Sequence, residues 1–227
     1  MGARAAVAGF VAIGLVVGGA YLADGLARDE AEGQVADVIT RELQVEGTPE
    51  VRIGGFPFLT QLLAGSLDDV TAAAGAVTLN GLRVTDVTVD AADVSLAAPY
   101  RVGDLRIDAT VPTASIEQVV RDTADLDVTV DGGTLRASGE VLGLTLTAGL
   151  VPRVEDGRLL VDVQDVTLGA GTLRLDQLPG NLAERLVGIE VPLDGLPPGI
   201  VLQDAQVVPD GVRVTATGVD VVLEEAR

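Results

Sequence analysis

From Thr71 onward the apolar residues recur with a period of two. In "LRVTDVTVDAADVSLAA", Leu82 to Ala98, Leu82 and Val84 alternate with Arg83 and Thr85; after a one-residue slip near Asp86, Val87 and Val89 alternate with Thr88 and Asp90. Successive side chains of a strand point to opposite faces, so this pattern describes strands with one wet and one dry face, and a helix cannot satisfy it. Similar runs cover Asp104 to Val111, Leu126 to Asp131, Thr134 to Ser138, Val141 to Thr147, Arg158 to Leu168, Val201 to Val208 and Val212 to Val222. Between them lie Asp131-Gly-Gly133, Glu155-Asp-Gly157 and Pro209-Asp-Gly211. Asp-Gly between alternating runs marks a hairpin, which makes the sheet mainly antiparallel.

Two short helices interrupt the strands. "PTASIEQVVRD" enters at Pro112 and Thr113 and carries Ile116, Val119 and Val120 on one stripe; "LPGNLAERLVG" has Asn181 as its N-cap and Leu182, Leu186 and Val187 as its apolar side. The fold class is therefore α+β, with many long strands and few short helices. The segments beginning "GFPFLTQLLAG" and "VPTASIEQVV" echo one another, each running proline, short helix, acidic turn, strand, as if two helices lay against one long curved sheet.

Composition narrows the chemistry. The chain has no His and no Cys, and all fifteen of its Lys+Arg cations are Arg. A Ser-His-Asp or Cys-His relay, a zinc site of His and Cys, a Schiff-base lysine and a P-loop lysine are all excluded. Neither a catalytic residue, a metal site nor a cofactor is indicated: the carboxylate groups Asp122, Asp125, Asp127 and Asp162, Asp165 lack the spacing of a calcium loop. A net charge of −19 argues against nucleic acid as a partner, since that grip needs clustered cations.

Ahead of the strands, Ala5 to Ala23 is an uncharged, largely apolar run with Arg4 before it and Asp24, Arg28, Asp29 and Glu30 after it. At 1.5 Å per residue, such a helix reaches across a hydrocarbon core of about 30 Å. Residues 1–28 are expected to be a signal anchor, a transmembrane helix, or a cleaved signal peptide; Arg4 on the short N-terminal side places Asp24 and the residues beyond it outside the cytoplasm. Residues 29–45 read as an amphipathic stalk helix with Ala31, Val35, Val38, Ile39 and Leu43 on one face, ended by Gly47 and Pro49, and residues 46–227 as one β-rich domain.

The stretch "VRIGGFPFLTQLLAG", Val51 to Gly65, concentrates two of the three phenylalanines in a chain without Trp. Val51 and Ile53 alternate into Gly54-Gly55, which permits a sharp turn, and Pro57 suits the first position of a helix. Phe58 with Leu62, and Leu59 with Leu63, are spaced to form one apolar face, opposite Thr60 and Gln61; Gly65 ends the helix. So short a helix must dock on something apolar. It either plugs one end of the sheet or lines a cavity that admits lipid, and Arg52 is placed to hold a phosphate beside that entrance. Asp68 and Asp69 read as solvated charges in the turn after the helix.

An N-terminal apolar run, an amphipathic helix and then "VRIGGFPFLTQLLAGSLDDV" before Val-rich strands resemble the actinobacterial LmeA-type phospholipid-binding proteins. The specific element is Gly55-Phe56-Pro57-Phe58-Leu59, with Gly65 and Asp68-Asp69 behind it. The resemblance implies an elongated, curved antiparallel sheet or barrel similar to tubular lipid-binding (TULIP-like) domains. It also implies a non-enzymatic phospholipid-binding or lipid-transfer protein of the cell envelope, on the outer side of the plasma membrane, that supports lipoglycan (mannan) assembly with envelope biosynthesis proteins. Phe56, Phe58, Leu59, Leu62, Leu63 and Arg52 are then the expected lipid contacts. The alternative is a scaffolding envelope protein with a fully packed sheet and a protein partner. Because so acidic a domain is repelled by anionic surfaces, lipid capture is expected to rest on acyl-chain burial. Phospholipid affinity measured across a salt titration should change little; loss of most of the affinity at high salt would contradict this.

Overall fold

The computed structural model describes residues 23–41, 44–79, 81–121, 127–141, 144–168, 171–174, 189–191 and 199–223. Helix α1 occupies 23–41. It is followed by β1 (Gln44–Glu46), β2 (Glu50–Ile53), α2 (Phe58–Ala64), β3 (Ser66–Leu79), β4 (Leu82–Ser95), β5 (Tyr100–Pro112) and α3 (Thr113–Arg121). Then come β6 (Asp127–Asp131), β7 (Thr134–Val141), β8 (Leu144–Glu155), β9 (Arg158–Leu168), β10 (Gly171–Arg174), β11 (Ile189–Val191), β12 (Ile200–Val208) and β13 (Gly211–Leu223).

The strands form two antiparallel sheets, one of seven strands in the order β1-β3-β4-β5-β13-β12 with β2 also on β3, the other of six in the order β10-β9-β8-β7-β6 with β11 also on β9. The expected barrel is not formed: among the described residues both sheets are open, with β1 and β12 at the outer edges of the larger and β10 and β6 at those of the smaller, and neither outer pair joined. Between the sheets, Ala205 and Val212 of the larger pack with Val128 and Leu135 of the smaller, joined by Ile116 from α3. The hairpin turns fall where Asp-Gly predicts them, and Asp156 and Gly157 both have positive φ (52° and 73°), as a turn matched to strand twist requires.

Several sequence expectations are corrected. Asp68 and Asp69 lie within β3, not in a turn, because the sheet begins at Ser66. The run Val141 to Thr147 belongs to two strands, β7 ending at Val141 and β8 beginning at Leu144. The run Ala5 to Ala23, apart from its last residue, and the expected helix at 178–188 lie outside the described residues. Among the described residues, no helix is long and apolar enough to cross a membrane.

The slip at Asp86 is a bulge: Asp86 takes φ 50°, and the β4–β5 register shifts between Thr85 and Thr88. A bulge of this kind absorbs the odd residue and bends the strand. A second irregularity crosses four adjacent strands at one level. Asp93 and Asp220 have φ of 54° and 52°, Gly103 lies between them, and a side chain on Gly103 would meet Asp93 Cβ at 2.9 Å. On either side of this line the inward-facing residues are three apart instead of two or four. Leu67 is followed inward by Val70, Ala91 by Val94 and Val102 by Leu105; in β13, Gly218 and Val221 are both buried. Two consecutive residues of each strand therefore face away from the core: Asp68-Asp69, Ala92-Asp93, Gly103-Asp104 and Val219-Asp220. Sequence periodicity showed the first slip and missed this one, since a single Φ-x-Asp-Φ step in one strand looks like ordinary irregularity.

The line separates a fully buried valine from an exposed one two residues away, Val221 at 0% and Val219 at 68% relative exposure. Val221→Ala should therefore cost about 2–3 kcal/mol by urea denaturation, and Val219→Ala less than about 0.5 kcal/mol. Equal effects would show that the inversion is absent.

Candidate functional site

The segment Val51–Gly65 sits at one end of the larger sheet. In β2, Val51 and Ile53 point inward while Glu50 and Arg52 face solvent. At the turn, Gly55 has φ 78°, and a Cβ there would lie 2.6 Å from the Asp68 carboxylate and 2.5 Å from the Gln61 amide; a Cβ on Gly54 would meet Asp69 at 2.8 Å. The glycine pair thus answers both to backbone conformation and to close packing against β3. The helix starts at Phe58, one residue later than the proline rule suggests, with Pro57 as its N-cap, and Gly65 closes it in the left-handed conformation at φ 75°.

The side-chain arrangement of α2 differs from the expected single apolar face. Phe58 is 1% exposed, in a cluster with Ile53 and Leu67 against Ala27 and Ala31 of α1 and Val70 and Val94. The second inward residue is Gln61, not a leucine: its Nε2 donates to Gly54 O at 3.1 Å and its Oε1 accepts from Asp68 N at 2.8 Å. The buried amide satisfies backbone groups of the turn and of β3 that helix packing would otherwise leave unpaired. Leu59, Leu62 and Leu63 consequently face outward, as does Phe56. Of the six expected lipid contacts, Phe58 is core, four are exposed, and Arg52 stands on the polar side of β2 paired with Glu50.

Residues that sequence reasoning passed over hold this end together. Pro57 offers no capping side chain; Asp24 of α1 supplies one instead, its buried Oδ1 accepting from Leu59 N at 2.8 Å. Arg28, one turn along α1, donates to Gly55 O at 2.6 Å, pairs with Asp24 at 3.4 Å and lies 5.9 Å from the centre of the Phe58 ring. Glu32 accepts from Ile53 N at 2.7 Å. The i, i+4 series Asp24, Arg28, Glu32 was the available signal, but Asp24 and Arg28 read as charges flanking the apolar run. In the fold that series lies against the sheet end, while Val35 and Val38 of the expected apolar face are exposed.

Beyond the line of inverted strands, the larger sheet is sharply two-faced. One face pairs Val70, Ala91 and Leu105, then Ala72, Val89 and Ile107. The other pairs Thr71, Asp90 and Arg106, then Ala73, Thr88 and Asp108. The polar face is tied by Thr71 to Asp90 at 3.0 Å, Arg106 to Asp108 at 2.7 Å and Thr215 to Asp108 at 2.5 Å. A shallow groove of about 300 Å³ crosses this polar side over Asp69, Asp90, Asp104 and Arg106. The apolar face is closed at one end by α1 and α2 and at the other by α3 and the smaller sheet. Between them Ala72, Ala74, Val87, Val89, Ile107 and Ala109 remain half-buried, a strip of small aliphatic side chains without a charge. It offers dispersion and hydrophobic contact and no group for covalent chemistry.

The LmeA-like phospholipid-binding family model matches residues 22–217, most of the chain. The chain belongs to the LmeA-like phospholipid-binding family. Neither a curated protein nor a solved structure gives a significant match. The family match spans α1, α2 and most of both sheets, so the Asp24–Leu59 contact lies within the matched residues.

Burial acts to raise the Asp24 pKa, but the backbone N–H groups of Leu59 and Phe58 and the Arg28 charge outweigh it and hold the carboxyl below its ordinary 3.8. A lowered folded-state pKa contributes stability above the unfolded value and loses it as pH falls through the folded one. The thermal midpoint should accordingly fall as the solution is acidified below about pH 4, and less steeply in Asp24→Asn, which starts lower at neutral pH. An Asp24→Asn profile parallel to that of the parent would remove this residue from the acid transition.

Proposed function

We propose that the protein is a non-enzymatic phospholipid-binding or lipid-transfer module of the cell envelope, held at the outer side of the plasma membrane by its N-terminal apolar run, with acyl chains lying along the aliphatic strip of the larger sheet. The observation that carries this reading is the strip itself: six half-buried Ala, Val and Ile side chains between two closed ends, in a member of a phospholipid-binding family. Each methylene buried there contributes roughly 0.8 kcal/mol, so a dozen would supply on the order of 10 kcal/mol before the losses of ordering. The acidic, Arg-only surface supplies no basic field for headgroups, consistent with recognition through the chains. Support of lipoglycan assembly with envelope biosynthesis proteins is the family-derived role in which such a carrier would act.

The test is the lipid retained by the full chain purified from an envelope-containing host, measured by extraction and mass spectrometry. Ala72→Gln, on the strip, should lower bound phospholipid severalfold, whereas Ala73→Gln, on the opposite face of the same strand, should leave it near the parental level. Absence of lipid from the parent, together with no uptake of fluorescent phospholipid, would favour the scaffolding reading.

A further inference from the structure

The outward leucines of α2 are not part of that strip, and their setting identifies a different surface. Leu63 is 89%, Phe56 62% and Leu26 of α1 71% exposed, with Leu59 and Leu62 beside them on α2. Exposed large apolar side chains are ordinary singly; gathered on one short helix and its neighbours they mark an interaction surface. The β4–β5 connection joins them: Leu96 N donates to Gly65 O at 2.9 Å, and Leu96 and Tyr100 are themselves exposed. Both segments of this tip, residues 54–67 and 94–100, are free of charged residues in a chain with a net charge of −19. Charge resumes at Asp68, Asp69 and Asp93, with the exposed Arg52 and Arg101 beside them and Asp104 and Asp220 on the same line, forming a mostly acidic collar directly behind the tip.

The identity of the occupant comes from the neighbouring sequence. The apolar run Ala5 to Ala23 ends one residue before Asp24, and Asp24 accepts the hydrogen bond from Leu59 N at 2.8 Å. Leu59, the first of the exposed leucines on α2, is therefore tethered within a few ångströms of the point where that run gives way to polar sequence, with Leu62 and Leu63 on the following turn. Resting on the membrane-anchored reading above, we propose that the α2 tip is a bilayer-docking surface: Phe56, Leu59, Leu62 and Leu63 enter the interfacial region of the membrane that holds the N-terminal run. Tyr100 sits at headgroup level, and the acidic collar stops deeper entry. An aromatic at the interface, apolar side chains inserted by a short helix and the absence of charge suit the boundary between headgroups and chains. The collar makes a zwitterionic surface the better partner than an anionic one.

The chain lacks Trp, so one introduced indole reports its own surroundings. The full chain carrying Leu63→Trp is reconstituted in phosphatidylcholine vesicles with and without brominated acyl chains, beside Thr129→Trp on an exposed position of β6 in the smaller sheet. Docking gives a blue-shifted indole at position 63 that bromination strongly quenches, with red, unquenched emission at position 129. Red, unquenched emission at position 63 overturns the proposal. A blue-shifted but unquenched signal does so too, since the tip is then covered by protein, either the N-terminal segment or a second copy. Lipid extracted from the same proteins before reconstitution separates the two readings: bound phospholipid with an unquenched tip leaves the carrier function standing and removes the docking surface.

Discussion

Four neighbouring strands of the larger sheet shift by one residue, at the same level, in which alternate side chains face the core, and much of the molecule is organised around that line. A single slipped strand would carry its apolar residues to the wet face and its charges into the core. When β3, β4, β5 and β13 slip together, the hydrogen-bonded register survives and only the outward pair at the line is displaced. The left-handed residues Asp93 and Asp220, with Gly103 between them, take up the backbone distortion. The doubled outward positions are filled largely by aspartate, which tolerates that conformation and is best left in water.

The apolar face has two territories. At the level of this line lies the small core of Ile53, Phe58 and Leu67, which also takes in Val70 and is capped by α1 and α2; from there the aliphatic strip runs toward α3 and the smaller sheet. The capping end is held by polar contacts made by buried or part-buried groups, Asp24 with Leu59 N, Arg28 with Gly55 O and Gln61 with Gly54 and Asp68. Those contacts orient a helix too short to be stable alone and turn its leucines outward. The exposed leucines of α2 and the half-buried aliphatic strip are thus set at different places along one sheet.

Strand positions, hairpin turns and the first bulge could be read from residues because each depends on neighbours in sequence. The alternation in β4 and the Asp-Gly pairs carried that information directly, as did Val51 and Ile53 entering the glycine turn. The site was less accessible. Leucines spaced four apart do lie together on α2, but which side of the helix meets the sheet is decided by partners elsewhere in the chain. Gln61 looked like the solvent side until the backbone groups it satisfies came within reach. Arg52 looked like an entrance cation until β2 turned it to the polar face.

By itself the sequence determined a cation set made only of arginine, an antiparallel α+β fold rich in valine, an apolar N-terminal run, and the family to which the Gly-Phe-Pro-Phe-Leu element belongs. Those come from composition and from local period, which the chain carries wherever it folds. Only the tertiary structure decided that Phe58 is core while Leu63 is surface, that Asp24 caps a helix from a distance in sequence, and that four separate Asp-containing steps align. Each of these depends on registering distant strands against one another, and the free energy that selects the register comes from burying whole faces, not from any one residue's preference.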